Sequence, residues 1–139
     1  MTASSSSSSA ALVLRGVHGY LSGQTFRVRH GETLTVGRSR SCQVSLQRSD
    51  RFAGADAAGQ SFRKTSRRHF RVAFPHPDLV EIEDLSRNGT LVDGAKVGKV
   101  IFFLKDLRGR SIEIEFGEGE RLVLTLEETE PGGSNGAAG

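Results

Sequence analysis

Three short polar stretches, far apart along the chain, carry residue types that bind anions. They contain Arg38, then Ser66 followed by Arg67, then Asn88. Arginine presents a planar, permanently charged fork that fits phosphate oxygens, and a serine hydroxyl can donate to an oxyanion at short range. If the fold brings these stretches to one edge of the molecule, they form a receptor for a phosphate group.

Each stretch also has an ordinary structural explanation. Arg38 at a strand end is typical of a surface ion pair, and Ser66 is typical of a residue that caps a turn. Asn88 precedes a glycine, and asparagine tolerates the left-handed backbone of tight turns. The sequence therefore predicts a phosphate site only if all three stretches act together.

Ser66 and His69 invite an enzymatic interpretation as a nucleophile and its base. Residues three apart in a strand point to opposite faces, however, so we expect His69 to be a buried structural histidine. The same extended geometry predicts opposite directions for Arg67 and Arg68. The sequence contains no P-loop, paired metal ligands, nucleophile elbow or GxGxxG, so we predict a non-enzymatic protein without metal or cofactor.

Charge is unevenly distributed, although the net charge is only +3. Residues 36–76 carry nine basic side chains against two acidic ones, whereas the rest of the chain carries ten against fourteen. This asymmetry predicts an anionic partner. A nucleic acid is disfavoured because aromatic residues make up only 6% of the chain, tryptophan is absent, and no RNP-like or zinc-knuckle pattern occurs.

Composition limits the cellular setting as well. A single cysteine rules out an intramolecular disulfide. No apolar run approaches the roughly 20 residues that span a bilayer, and the N-terminus lacks the basic start and apolar run of an export signal. We therefore expect a soluble cytoplasmic protein that does not contact membranes.

The pattern of apolar residues predicts an all-β fold, an antiparallel β-sandwich of about eleven short strands with almost no helix. Alternation is clearest over residues 111–116, where Ile112 and Ile114 face one side and Glu113 and Glu115 the other. A 3.6-residue period never persists for three turns. The predicted strands cover residues 11–15, 25–29, 33–36, 43–46, 69–74, 80–83, 90–92, 100–104, 111–116 and 122–126.

The predicted organisation is one domain with two tails. The serine-rich residues 1–10 and the glycine-rich residues 129–139 have too few apolar side chains to offset the entropy of ordering, so residues 11–128 should form the folded unit. Residues 47–65 form a long polar loop of the kind that is usually functional or disordered. The sequence neither predicts nor excludes a short helix over residues 53–58.

The order of the motifs resembles that of the forkhead-associated (FHA) family. GR follows the strand TLTV, S-x-x-H opens a later strand, and NG lies in the segment DLSRNGTLVDG. Each motif alone is weak, but the three in this order on an all-β background are specific. The resemblance covers nearly all of residues 11–128, and it departs from the family in the longer segment between residues 46 and 66.

The resemblance implies a module that recognises phosphothreonine in partner proteins through loops at one end of a sandwich. In that family the residues matching Arg38 and Ser66 contact the phosphate, the residue matching Arg67 lies beside it, and the residue matching Asn88 holds the ligand backbone. A small apolar pocket accepts the threonine methyl group. The alternative is an interaction domain of the same fold that binds its partner independently of phosphorylation.

Five more positions acquire roles from the same resemblance. Lys64 and Arg87 are possible contacts to the peptide, while Gly37, His69 and Gly89 support the site. We expect a monomer whose partner is a phosphothreonine-containing protein or peptide.

Overall fold

The protein is described here by a computed structural model that covers residues 9–49 and 63–129. Within these ranges the chain forms eleven β-strands and one 3₁₀ turn, Leu104–Leu107, and Arg63 and Lys64 are helical. The strands are β1 (Ser9–His18), β2 (Thr25–Arg29), β3 (Thr33–Gly37), β4 (Val44–Ser45), β5 (Phe70–His76), β6 (Leu79–Asp84), β7 (Thr90–Val92), β8 (Ala95–Val97), β9 (Lys99–Phe103), β10 (Ser111–Phe116) and β11 (Glu120–Thr129).

This architecture confirms the predicted all-β sandwich. Every predicted strand is present, three of them with the predicted bounds and the others with ends shifted by up to three residues. Strand β8 was missed because it has only three residues and is mostly exposed. The helix considered for residues 53–58 lies outside the described residues. No helix in the described part of the chain has the length and apolar character needed to cross a membrane.

The strands form two sheets. One has six strands in the order β2-β1-β11-β10-β7-β8, and the other has five in the order β4-β3-β5-β6-β9. All pairs are antiparallel except β3 with β4. The apolar core lies where the inner faces of the sheets meet.

Strand β10 illustrates how the pattern of side chains builds this core. Ile112 and Ile114 are fully buried, whereas Glu113 and Glu115, which alternate with them, are not. At the end of the strand, Phe116 packs edge-on against Phe70 of β5, with ring centroids 5.1 Å apart. Because β10 and β5 belong to different sheets, this contact joins the two layers close to the start of β5.

The register of the five-stranded sheet brings three loops to one end. Val36, near the end of β3, pairs with Phe70 at the start of β5, and Phe70 pairs with Asp84 at the end of β6. Since neighbouring strands run antiparallel, the segments after β3, before β5 and after β6 must leave the sheet side by side. These segments carry the three polar stretches found in the sequence.

Candidate anion-binding site

An open depression of about 510 Å³ lies where these three loops meet. Among the described residues, no acidic side chain lines it. Four of its six lining residues are arginines, and one, Leu85, is apolar. The lining residues are Arg38, Ser66, Arg67, Arg68, Leu85 and Arg87.

The first two loops are joined backbone to backbone. The Arg38 N–H donates to the Ser66 carbonyl at 3.0 Å, and the Ser39 N–H donates to the Arg67 carbonyl at 3.1 Å. This close approach requires Gly37, because a Cβ at that position would lie 2.2 Å from the Arg67 carbonyl oxygen. Gly37 thus allows the end of β3 to approach the segment before β5.

The Ser66 side chain joins the second and third loops. Its Oγ accepts a hydrogen bond from the Arg87 N–H at 3.2 Å. A hydroxyl has one donor hydrogen besides its acceptor lone pairs, so this bond does not use the Ser66 hydroxyl hydrogen. The group can therefore donate to an anion while it remains bonded to Arg87.

His69 supports both loops from beneath and is fully buried. Its Nδ1 accepts from the Ser66 N–H at 3.0 Å, so the proton resides on Nε2, which donates to the Gly89 carbonyl at 2.8 Å. Burial lowers the pKa of His69 below its ordinary value, more than the Gly89 carbonyl and the Asp84 charge raise it. The ring bonds the backbone of Ser66 rather than its hydroxyl, which is not the geometry of a catalytic pair.

The third loop is organised by Asp84. Its Oδ1 accepts from the Ser86 N–H at 3.1 Å, from the Ser86 hydroxyl at 2.5 Å and from the Thr90 hydroxyl at 2.8 Å. The Ser86 Oγ in turn accepts from the N–H of Gly89, whose φ of 97° suits glycine. Asp84 and Ser86 were not among the predicted site residues, although an aspartate two residues before a serine is a recognisable turn signal.

Asn88 lies at the boundary between this depression and a second one. Its side-chain amide donates to the Lys64 carbonyl at 2.9 Å. It lines the neighbouring cavity of about 720 Å³, which is bounded by the turn between β10 and β11. Asn88 therefore follows Arg87, which lines the first depression, but does not line that depression itself.

Lys64 lies close to this second cavity. Its ammonium group forms an ion pair with Glu118 of the β10–β11 turn at 3.4 Å. Both side chains are about half exposed, and such surface pairs are weak. A ligand that carries an acidic group can therefore replace Glu118 as the partner of Lys64 at small cost.

The prediction that Arg67 and Arg68 point to opposite sides assumes an extended backbone, which the chain does not have at these positions. Both residues line the same depression, because the backbone bends at positions 67 and 68 and extended structure begins only at Phe70. Alternation of side chains applies to extended strands and does not hold through a bend.

The comparisons with known proteins agree with this architecture. The FHA domain family matches residues 34–117, which include all three loops. No curated protein matches the chain by sequence.

Solved structures match over most of the chain. An FHA domain from a study of phosphothreonine-dependent FHA domain interactions is 26% identical, with a TM-score of 0.55, covering 81% of this chain and 94% of its own. The FhaA FHA domain, solved with the intracellular domain of another protein, is 27% identical, with a TM-score of 0.54 and coverages of 81% and 98%. The FHA domain of an Arabidopsis thaliana protein shares the fold at 23% identity, with a TM-score of 0.61 and coverages of 93% and 91%.

Proposed function

The chain belongs to the FHA domain family, and on that premise we propose that it binds a phosphothreonine-containing segment of a partner protein at the depression between its three loops. The observation that carries the proposal is that Arg38, Ser66 and Arg67 line one depression without an acidic residue among the described lining. We infer no catalytic role for these residues.

The chemistry of the lining matches the chemistry of the ligand. A phosphothreonine carries a charge of about −1.5 to −2 at pH 7 and three acceptor oxygens. In our proposal the guanidinium groups of Arg38 and Arg67 neutralise this charge, and the Ser66 hydroxyl donates the hydrogen that its bond to Arg87 does not use. Hydrogen bonds to an ionised acceptor are about twice as strong as neutral ones.

Asn88 and Lys64 would fix the direction of the peptide. After its bond to the Lys64 carbonyl, the Asn88 amide still has an acceptor oxygen and one N–H, which is what the backbone of an extended ligand requires. Gly37, His69 and Gly89 act by holding the loops at the distances described above rather than by touching the ligand.

Leu85 offers a physical basis for selecting threonine over serine. It is 43% exposed and is the apolar residue of the lining, so it can cover the γ-methyl group that phosphothreonine has and phosphoserine lacks. Burial of one carbon of this kind contributes about 0.8 kcal/mol, which corresponds to roughly a fourfold preference.

The test begins with a degenerate phosphothreonine peptide library, from which one binding peptide is selected and labelled for fluorescence anisotropy. We expect this peptide to bind and its unphosphorylated twin not to bind. Arg38→Ala should lower affinity at least tenfold with an unchanged circular dichroism spectrum, because a charge-assisted contact is lost without a change in the core. Arg29→Ala is the control, since Arg29 pairs with Ala11 at the opposite end of the sheets.

Two results would contradict the proposal. Equal binding by wild type and Arg38→Ala would show that the depression is not the phosphate site. Equal binding of the phosphorylated and unphosphorylated peptides would favour the alternative, an interaction domain of the same fold that ignores phosphorylation.

A further inference from the structure

The depression carries more positive charge than one phosphate requires. Four arginines line it, whereas a phosphothreonine supplies at most about two negative charges. If Arg38 and Arg67 bind the phosphate, Arg68 and Arg87 remain. In the described part of the chain, neither of these two forms an ion pair with an acidic side chain.

Arg68 is held at the depression by the backbone itself. Residues 67 and 68 form a bend, and a Cβ on Gly37 would lie only 2.9 Å from the Arg68 Cα. The position of Arg68 is thus set by the same close approach that sets the position of Arg67.

Arg87 is held on the adjacent wall by the third loop. Its N–H is bonded to the Ser66 Oγ, and the residues on either side of it belong to the turn that Asp84 organises. Like charges held close together repel one another, and a ligand with a second anionic group removes that cost.

We propose that Arg68 and Arg87 form a second anionic subsite, so that the preferred ligand carries a phosphate or a carboxylate near its phosphothreonine. This inference rests on the proposed function, because it assumes that the first phosphate occupies Arg38, Ser66 and Arg67. Its ligand is then a multiply phosphorylated or acidic segment rather than any segment with one phosphothreonine.

The experiment uses the selected phosphothreonine peptide with serine, phosphoserine or glutamate placed in turn at each of the three positions on either side. Affinities are measured by fluorescence anisotropy with the full chain. At one or more positions, we expect phosphoserine to raise affinity about five- to tenfold over serine. A similar gain with glutamate would identify a carboxylate as sufficient, whereas a gain with phosphoserine alone would identify the second group as a phosphate.

Arg68→Gln and Arg87→Gln separate the subsite from general electrostatic attraction. Each should remove most of the gain from the second group, measured as the ratio of the affinities of the same variant for the peptides with and without that group. Arg29→Gln, which removes the same charge at the opposite end of the sheets, should leave the gain intact.

The subsite is refuted if no position gives a gain above about twofold, or if Arg29→Gln reduces the gain as much as Arg68→Gln does. Both outcomes leave the proposed function standing when the singly phosphorylated peptide still binds and Arg38→Ala still lowers its affinity at least tenfold. Failure of the proposed function is separate, since it appears as a loss of dependence on the first phosphate.

Discussion

Replacing His69 with phenylalanine tests how the site is held together. The substitution keeps a ring in the buried position but removes both of its hydrogen bonds, to the Ser66 N–H at 3.0 Å and to the Gly89 carbonyl at 2.8 Å. Two backbone groups in different loops are then left without their partner. The ring also packs against Phe116, with centroids 5.2 Å apart, a contact that phenylalanine can retain.

The expected loss of stability follows from these two groups. A buried polar group without a partner costs about 1 to 3 kcal/mol, which gives about 2 to 6 kcal/mol for the pair. Ser66 and Gly89 are only partly buried, so water can replace part of the lost hydrogen bonding. We therefore expect the free energy of unfolding to fall by about 2 to 4 kcal/mol. A domain of ordinary stability, about 5 to 15 kcal/mol, remains folded after such a loss.

Acidification provides a second readout of the same contacts. The pKa of His69 is lowered in the folded state by burial, so the unfolded chain binds the proton more readily. Stability therefore rises with pH, and the contribution of His69 is lost as the pH falls below 6.5, the ordinary value for histidine. Because the phenylalanine variant lacks this contribution, the gap in unfolding free energy between the two proteins should narrow by up to about 1 kcal/mol between pH 7.5 and 5.5.

Urea denaturation monitored by circular dichroism at both pH values measures these quantities. The difference between wild type and His69→Phe cancels all titrations that the two proteins share. A loss below about 1 kcal/mol at pH 7.5, or a gap that stays constant or widens on acidification, would refute the assignment of His69 as a neutral, doubly bonded support.

Two further substitutions test separate features of the site. Gly37→Ala should destabilise the protein by about 1 to 3 kcal/mol and weaken phosphopeptide binding, because the new Cβ displaces the Arg67 carbonyl. Urea denaturation measures the first effect and fluorescence anisotropy the second. A variant with unchanged stability and normal affinity would show that the close approach of Gly37 to Arg67 is unimportant. Leu85→Ser should reduce the preference for phosphothreonine over phosphoserine about fourfold without abolishing binding, as measured with two peptides that differ only in that residue. An unchanged ratio of the two affinities would exclude Leu85 as the contact of the threonine methyl group.

Much of the fold could be predicted from the sequence because its signals are local. Alternation over β10 and the turn residues between strands act over a few positions, so the strands were found and only the three-residue β8 escaped. The motifs were also local, and they identified Arg38, Ser66 and Asn88 as candidates. Their roles in binding remain predictions for the experiments above.

The tertiary structure decided which of these residues share a surface. The register that pairs Val36 with Phe70 and Phe70 with Asp84 depends on packing between segments up to 48 positions apart, which no local pattern encodes. A bend in the backbone places Arg68 at the depression, and no sequence pattern predicted that Asn88 lines a second cavity. The sequence alone thus determined the strands and the chemistry available to the site, whereas long-range packing determined which groups stand together.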